Sequence, residues 1–531
     1  MIRRVTQLLI LIVTLSLTSG AWATTYYIDW VSGADTNDGL TKSTPWKRAP
    51  GMVGCSDNCL AKKTAVVQPG DQIILKGGVT WPNAALGWYW RGSGNATTSS
   101  PGCSGSGCIY IGVDETWFTG ASWSRPILDA GGAVVTGDAV NVLLYLRGNY
   151  LIVDNIEIKG MYWPAGTLSY GSHTNVVISP GSPGWGTNIT LKNLYIHGWS
   201  HDTYANGAKQ RSCGVVGDTA TPNNNVNTIL QDSVIDGSDT ARDSCSGVFG
   251  SPPYIVNNLF RHMANGMVVN GTVKISGNTI TNIGNCFDPT AHTNAIEVNA
   301  SNDIEISNNV IANLGSGTVG IWTATNAGYT ATIFNNVIYD TDISQYFNVA
   351  APVVNGGCAP KGTTGYCLYA GTTNIYNNTI ECGPDSNPTG IGIANINVSS
   401  AEVKIINNHF ITSAITPNDG AWSVASGSTT TITANNNIVQ SKSIANAQGY
   451  TLSNKYPFRG AGVTVGAGMD LQSLSGIPSA ALSSTSCGVK YDELNHRVIG
   501  NYITPQLRGT NWDIGAYYGR YPAPPTSLSI Q

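Results

Sequence analysis

Short runs of Val, Ile and Leu alternate with polar residues along most of this 531-residue chain, and Asn and Gly separate the runs. Period-two alternation predicts half-buried strands, and amphipathic helical periods are largely absent. One phrase keeps returning between the runs: Asn, a second small or apolar residue, any residue, then Ile, Phe or Val. Clear copies are Asn193-Leu194-Tyr195-Ile196, Asn257-Asn258-Leu259-Phe260, Asn308-Asn309-Val310-Ile311 and Asn335-Asn336-Val337-Ile338. Further copies are Asn377-Asn378-Thr379-Ile380, Asn407-Asn408-His409-Phe410 and Asn436-Asn437-Ile438-Val439, with weaker ones starting at Asn155, Asp232 and Gly277. From Asn155 to Asn436 the anchors step by 38, 39, 25, 20, 31, 27, 42, 30 and 29 residues. Such an imperfect period means one supersecondary unit stacked many times, with loops of varying length between its strands.

Stacked units place equivalent side chains over one another, with Ile and Val inward and Asn in ladders at the corners. A spacing of about thirty residues is too long for a hexapeptide solenoid and suits a three-sheeted parallel β-helix. An eight-bladed propeller is the competing architecture, but the chain lacks a regular blade length. The expected organisation is a leader over 1–23, an N-terminal cap with a Gly-, Ser- and Cys-rich loop over 24–108, the β-helix over 109–445, and an irregular closing tail over 446–531.

The start, Met1-Ile2-Arg3-Arg4, an apolar run from Leu8 to Leu17 and Ala21-Trp22-Ala23, reads as a secretory signal peptide cleaved near Ala23. The run is too short for a membrane anchor. No later segment is long and apolar enough to span a bilayer, so the expected product is a soluble monomer, secreted, periplasmic or at the cell surface. Charged residues are only 11% of the chain and glycine is 62 of 531, a neutral polar surface suited to carbohydrate contact. The net charge of -4 gives no basic face for nucleic acid. Among eleven cysteines, the close pairs Cys55 and Cys59, Cys103 and Cys108, and Cys358 and Cys367 read as loop staples, and Cys213 and Cys245 as a link between coils. A zinc site at Cys55-x3-Cys59 lacks a second ligand pair. The Asp35-Thr36-Asn37-Asp38-Gly39 turn has tolerable calcium-ligand spacing but lacks a later bidentate Glu, and reads as a structural turn.

The opening Tyr27-Ile28-Asp29, Gly33-x-Asp35-x-Asn37-Asp38-Gly39 and Pro45-Trp46, with the ending Trp512-Asp513-Ile514-Gly515-Ala516-Tyr517, carries a resemblance. Over its whole mature length the chain resembles secreted right-handed parallel β-helix proteins of the pectate-lyase-like superfamily. That resemblance implies an all-β, right-handed, three-sheeted solenoid. It does not choose an activity, because the superfamily holds lyases, hydrolases, epimerases and non-catalytic surface proteins.

The repeats supply columns in which chemistry can be sought. Four residues after successive anchors come Lys159, His197, Asp236, Arg261, Thr281, Ala312, Tyr339 and Glu381. A second column, expected to point outward, holds Val216, Phe249, Val268, Glu297, Trp322 and Gly392. Four of the seven histidines, His197, His201, His262 and His292, fall between 197 and 292, together with Lys209, Asp236, Asp239, Arg242, Asp243 and Arg261. The segment from His292 through Asn294 to Glu297 resembles the His-x-Asp/Asn-small-Ile phrase of β-helix active grooves, with Asn294 where an Asp is common.

The expected function is an exported enzyme that cleaves an acidic polysaccharide by β-elimination. Lys209, Arg242 or Arg261 would serve as base, His292, Glu297 and Asp236 as further catalytic groups, and His197, His262, Phe249 and Trp322 as sugar contacts. Asp236, Asp239 and Asp243 would offer oxygen ligands to Ca²⁺, and no organic cofactor is expected. A glycoside hydrolase with paired carboxylates and a non-catalytic glycan-binding surface protein are the alternatives. Singly, each residue has an ordinary role open to it: aspartates cap turns, and arginines pair with them across coils.

Overall fold

The structure is a computed structural model. It describes residues 23–61, 67–97, 101–133, 142–163, 176–179, 186–201, 213–215, 227–237, 246–250, 253–271, 274–284, 293–300, 302–314, 318–326, 328–339, 366–368, 371–381, 391–393, 402–412, 422–424, 431–448, 462–474, 477–484, 488–499, 506–507 and 512–516. The leader, Val216, Lys209, Asp239, Arg242, Asp243, Cys245, His292 and Cys358 lie outside the described residues.

Three long parallel sheets carry the chain, and each coil visits all three in turn. One coil runs through Tyr254–Val256 in the first sheet, Leu259–Met263 in the second and Asn265–Asn270 in the third. The next begins at Lys274–Ser276, paired in parallel with Tyr254–Val256. This is a three-sheeted parallel β-helix. Its interior is filled by columns of like residues. Leu191, Leu230, Ile255, Ile275, Ile306, Ile333, Ile375 and Ile405 stack in the first sheet, all fully buried. Ile196, Ile235, Phe260, Ile280, Ile311 and Ile338 do the same in the second. Burying each such side chain stabilises the fold by roughly 1.5–3 kcal/mol.

The recurring Asn phrase is the corner between the first and second sheets. Its first residue adopts the left-handed backbone, with φ of 53° at Asn193, 56° at Asn257 and Asn308, and 58° at Asn407. Asn155, Asp232 and Gly277, the weaker anchors, adopt it too. Asn and Asp tolerate this conformation because their short side chains bond locally. The second residue builds a ladder. Nδ2 of Asn258 donates to Oδ1 of Asn278 at 3.0 Å, Asn278 to Asn309 at 3.0 Å, Asn309 to Asn336 at 2.9 Å, and Asn336 to Asn378 at 3.0 Å. Each of these amides also donates to a carbonyl within the coils, for example Asn309 to Ile275 at 3.1 Å. Buried amides are thereby satisfied without water, which fixes the stacking register.

Two expectations change. The sheets begin upstream of residue 109: Thr25–Ile28 pairs with Gln72–Leu75, which pairs with Ile109–Gly112. Those first coils lack the Asn phrase, so the repeat did not mark them. The tail is more than a closing segment, because it runs back along the first-to-second-sheet corner as a strap. Asn436 donates to Ala467 O, Asn407 to Met469 O and Asn335 to Ser483 O, while Gly488 N donates to Asn308 O. The left-handed Asn of these four coils thus serves as a peg for the strap. Beyond Val489, a hairpin of Lys490–Asp492 and Arg497–Ile499 packs over Tyr195, Val234 and Leu259 on the outside of the second sheet.

Cys55 is bonded to Cys59 and Cys103 to Cys108. In the Asp35–Gly39 turn, Asp35 takes Arg48 Nη1 at 2.9 Å and Asp38 takes Thr44 Oγ1 at 2.7 Å, so these carboxylates hold the turn to its neighbours. No helix among the described residues is long and apolar enough to cross a membrane.

Candidate functional site

On the outer face of the second sheet, Asp129, Lys159, His197, Asp236, Arg261 and Thr281 stand in register on consecutive coils. The column is a chain of charge pairs. Lys159 lies 3.7 Å from Asp129, and His197 Nε2 lies 3.0 Å from Glu157 Oε1. The rings of His197 and His496 both stack on Tyr195, at centroid distances of 4.0 and 4.5 Å. His197, expected to touch sugar, is packed between a carboxylate and a tyrosine.

Asp236 is the hub, with only 4% of its surface exposed. Arg261 Nε donates to its Oδ2 at 2.7 Å, and His262 Nδ1 lies 2.7 Å from its Oδ1. Arg261 reaches further, donating from Nη1 to Glu493 Oε1 at 2.9 Å, with Cζ 4.6 Å over the Tyr491 ring. Burial alone would favour a neutral Arg261, but the Glu493 bond and Asp236 outweigh it and raise its pKa above the ordinary value. A guanidinium held this firmly in its protonated form cannot accept a proton, so the expectation of Arg261 as base does not suit this geometry. It anchors the strap instead. Asp236 equally does not suit calcium, because each of its oxygens faces a nitrogen of Arg261 or His262. Among the described residues no group of three or more His, Cys, Asp or Glu could hold a metal ion.

His262 stands apart from the rest of the column. It lies at the corner between the second and third sheets with φ of +59°, in line with Asn282 and Asn313 at 56° and 52° on the next coils. Asn282 Nδ2 approaches His262 Nε2 at 3.3 Å. A carboxylate facing Nδ1 calls for a proton on that nitrogen. The side chain is about one-fifth exposed, at 21%. A single residue, Ala264, separates its strand from the third sheet, whereas in the coils on either side the second-sheet strands end at Asp236 and Ile283 and the third-sheet strands begin at Ser246 and Thr293.

The third sheet carries the other expected residues. Phe249, Val268, Glu297 and Trp322 stand in register, as the second column predicts. Asn265 Oδ1 accepts from Asn294 N at 2.7 Å, and Asn294 Nδ2 donates to Glu297 Oε2 at 2.8 Å. Asn294 thus orients Glu297 beside the half-buried Trp322. Phe249 is 6% exposed within a small apolar cluster with Val268, so its ring is covered and unsuited to stacking on a sugar. The sequence reading missed Glu157, Tyr491, Glu493 and His496. Three of these come from the aperiodic tail, for which no column exists.

No family model matches the chain, and no curated protein matches it. Among solved structures it is similar to GH136 lacto-N-biosidase from Eubacterium ramulus, at 14% identity over 78% of this chain and 68% of that one, with a TM-score of 0.40. A rhamnogalacturonan lyase matches at 13% identity over 78% and 87%, with a TM-score of 0.35. A PL6 family polysaccharide lyase from Pseudopedobacter saltans matches at 14% over 71% and 90%, with a TM-score of 0.29. What this chain does has to be sought in its own side chains.

Proposed function

We propose that this chain is a polysaccharide-active enzyme that cleaves an acidic glycan by β-elimination, with His262 as the proton acceptor. The observation that carries this reading is the Asp236–His262 pair at 2.7 Å, set in a left-handed backbone at the corner where the second and third sheets are joined by Ala264 alone. Asp236 orients the ring and stabilises the imidazolium that forms. His262 Nε2 takes the proton from the carbon next to the uronate carboxylate. That electron pair forms the new carbon–carbon double bond, the bond to the glycosidic oxygen breaks, and the leaving oxygen takes up a proton. Lys209 and Arg242 are the proposed partners of the substrate carboxylate, and Glu297 with Trp322 the proposed contacts to a neighbouring sugar.

Incubation of the purified protein with a panel of polyuronates and neutral glycans, with and without Ca²⁺, tests this reading. Ultraviolet-absorbing unsaturated ends are the expected product. New reducing ends without them would replace β-elimination by hydrolysis, and binding without any product would overturn the enzymatic reading.

A further inference from the structure

We propose a second, anion-recognising subsite on the third sheet, built of Arg91, Arg147 and the partly exposed Tyr145 beside the buried Tyr89, that takes a carboxylated sugar residue of the same glycan. It deepens the function proposed above, on which its choice of a sugar ligand rests. Trp88–Trp90 and Val142–Leu146 are adjacent parallel strands, with Tyr89 opposite Tyr145. Arg91 and Arg147 each follow directly on these strands, so two cations stand side by side on neighbouring coils. Arg91 Cζ lies 4.5 Å over the Tyr89 ring, and Arg147 Cζ lies 5.8 Å over the Tyr145 ring. Arg147 Nη1 also donates to Tyr89 Oη at 2.7 Å. The two tyrosine rings meet edge to face at 5.1 Å.

Several cations elsewhere on the described coils are answered by carboxylates, as Lys76 is by Asp29, Lys192 by Asp154 and Lys274 by Glu305. Arg91 is exposed and has no carboxylate partner among the described residues. A guanidinium fork fits a carboxylate with two parallel hydrogen bonds, and tyrosine supplies an apolar face beside it. The cluster shares the face of Glu297 and Trp322. Five strand spacings separate Tyr145 from Glu297, about 24 Å at ~4.8 Å each. The glycan would therefore lie along the stack of coils, across many strands.

Binding is read without turnover, in a His262→Ala background, by titrating polygalacturonate and, as the neutral control, dextran. Arg91→Gln and Tyr145→Ala are each expected to weaken polygalacturonate binding roughly tenfold, the weight of one charge-assisted contact. The wild-type affinity should fall with added salt, and the Arg91→Gln affinity less steeply. Arg91 is exposed, so its variant should melt with the parent and keep the comparison interpretable. Unchanged affinity in Arg91→Gln, or no polygalacturonate binding by the parent, would overturn the subsite. A wild-type protein that cleaves no polyuronate, beside retained Arg91-dependent binding, would instead sink the catalytic reading and leave the subsite standing.

Discussion

His262 Nδ1 and Asp236 Oδ1 lie 2.7 Å apart, on adjacent coils that the parallel second sheet holds in register. The carboxylate is buried and the ring reaches the surface, so the pair has one inner and one outer member. That polarity is what an oriented general base requires.

Asp236→Asn keeps the shape of the side chain and removes its charge. Turnover should fall by about 10²–10⁴-fold, the range of a general acid–base contribution. Binding of polygalacturonate should survive. Steady-state kinetics beside a titration would check this, and parent-like turnover would remove Asp236 from the mechanism.

Arg261 joins the strap to the body of the helix through Glu493 and the face of Tyr491. The Glu493 side chain is 70% exposed, so the ion pair itself contributes little. Tyr491→Ala should therefore loosen the hairpin more than Glu493→Gln does. Amide hydrogen exchange over 488–499 should quicken in Tyr491→Ala while the ladder amides of Asn258 and Asn309 keep their protection. Equal quickening in both regions would mean that the strap and the coils open together.

Asn309 accepts from the backbone of Asn278 and donates to Asn336 and Ile275. Asn309→Ala takes the acceptor from Asn278 N and a donor from Ile275 O, while Asn336 Oδ1 keeps Asn309 N, at about 1–3 kcal/mol for each group left unsatisfied. Denaturant unfolding should show a loss at the upper end of that range or beyond it. Asn308→Gly, at the left-handed neighbour with φ of 56°, should be far milder because glycine adopts that backbone freely.

His409 is fully buried against Gln440, 2.9 Å from its Oε1. Burial pushes its pKa down to about 4, against the Gln440 bond, which raises it. The unfolded chain binds this proton near the ordinary value of 6.5, so between about 6.5 and 4 the unfolded state holds more protons. Stability should fall as pH drops through that window. Thermal melts across it should show the fall in the parent and a flatter profile in His409→Gln. Glu157 acts lower: burial opposes its ionisation, but the His197 bond and nearby cations still hold its pKa below the ordinary 4.5, so its contribution is lost at more acid pH.

The column through His197, Asp236 and Arg261 was legible because each corner resets the count. A left-handed Asn followed by a laddered Asn fixes where the next strand starts, and position then follows from number. The same logic fails where no corner repeats. Glu493 and Tyr491 meet Arg261 from more than two hundred residues away along an aperiodic tail. Glu157, too, lies two positions before the column it completes. The sequence also suggested Arg261 as a base; it allowed a pairing with an aspartate across coils, but Glu493 lies in the aperiodic tail, where no column shows it.

The central claim is that His262 accepts the proton. The most direct measurement is the single-turnover rate of His262→Gln against the parent on a polyuronate that the parent cleaves, with a circular dichroism melt of both. The account predicts a loss of about 10²–10⁴-fold at retained substrate affinity and near-parent melting. Cleavage at the parental rate, or a parent that leaves every polyuronate intact, would contradict it.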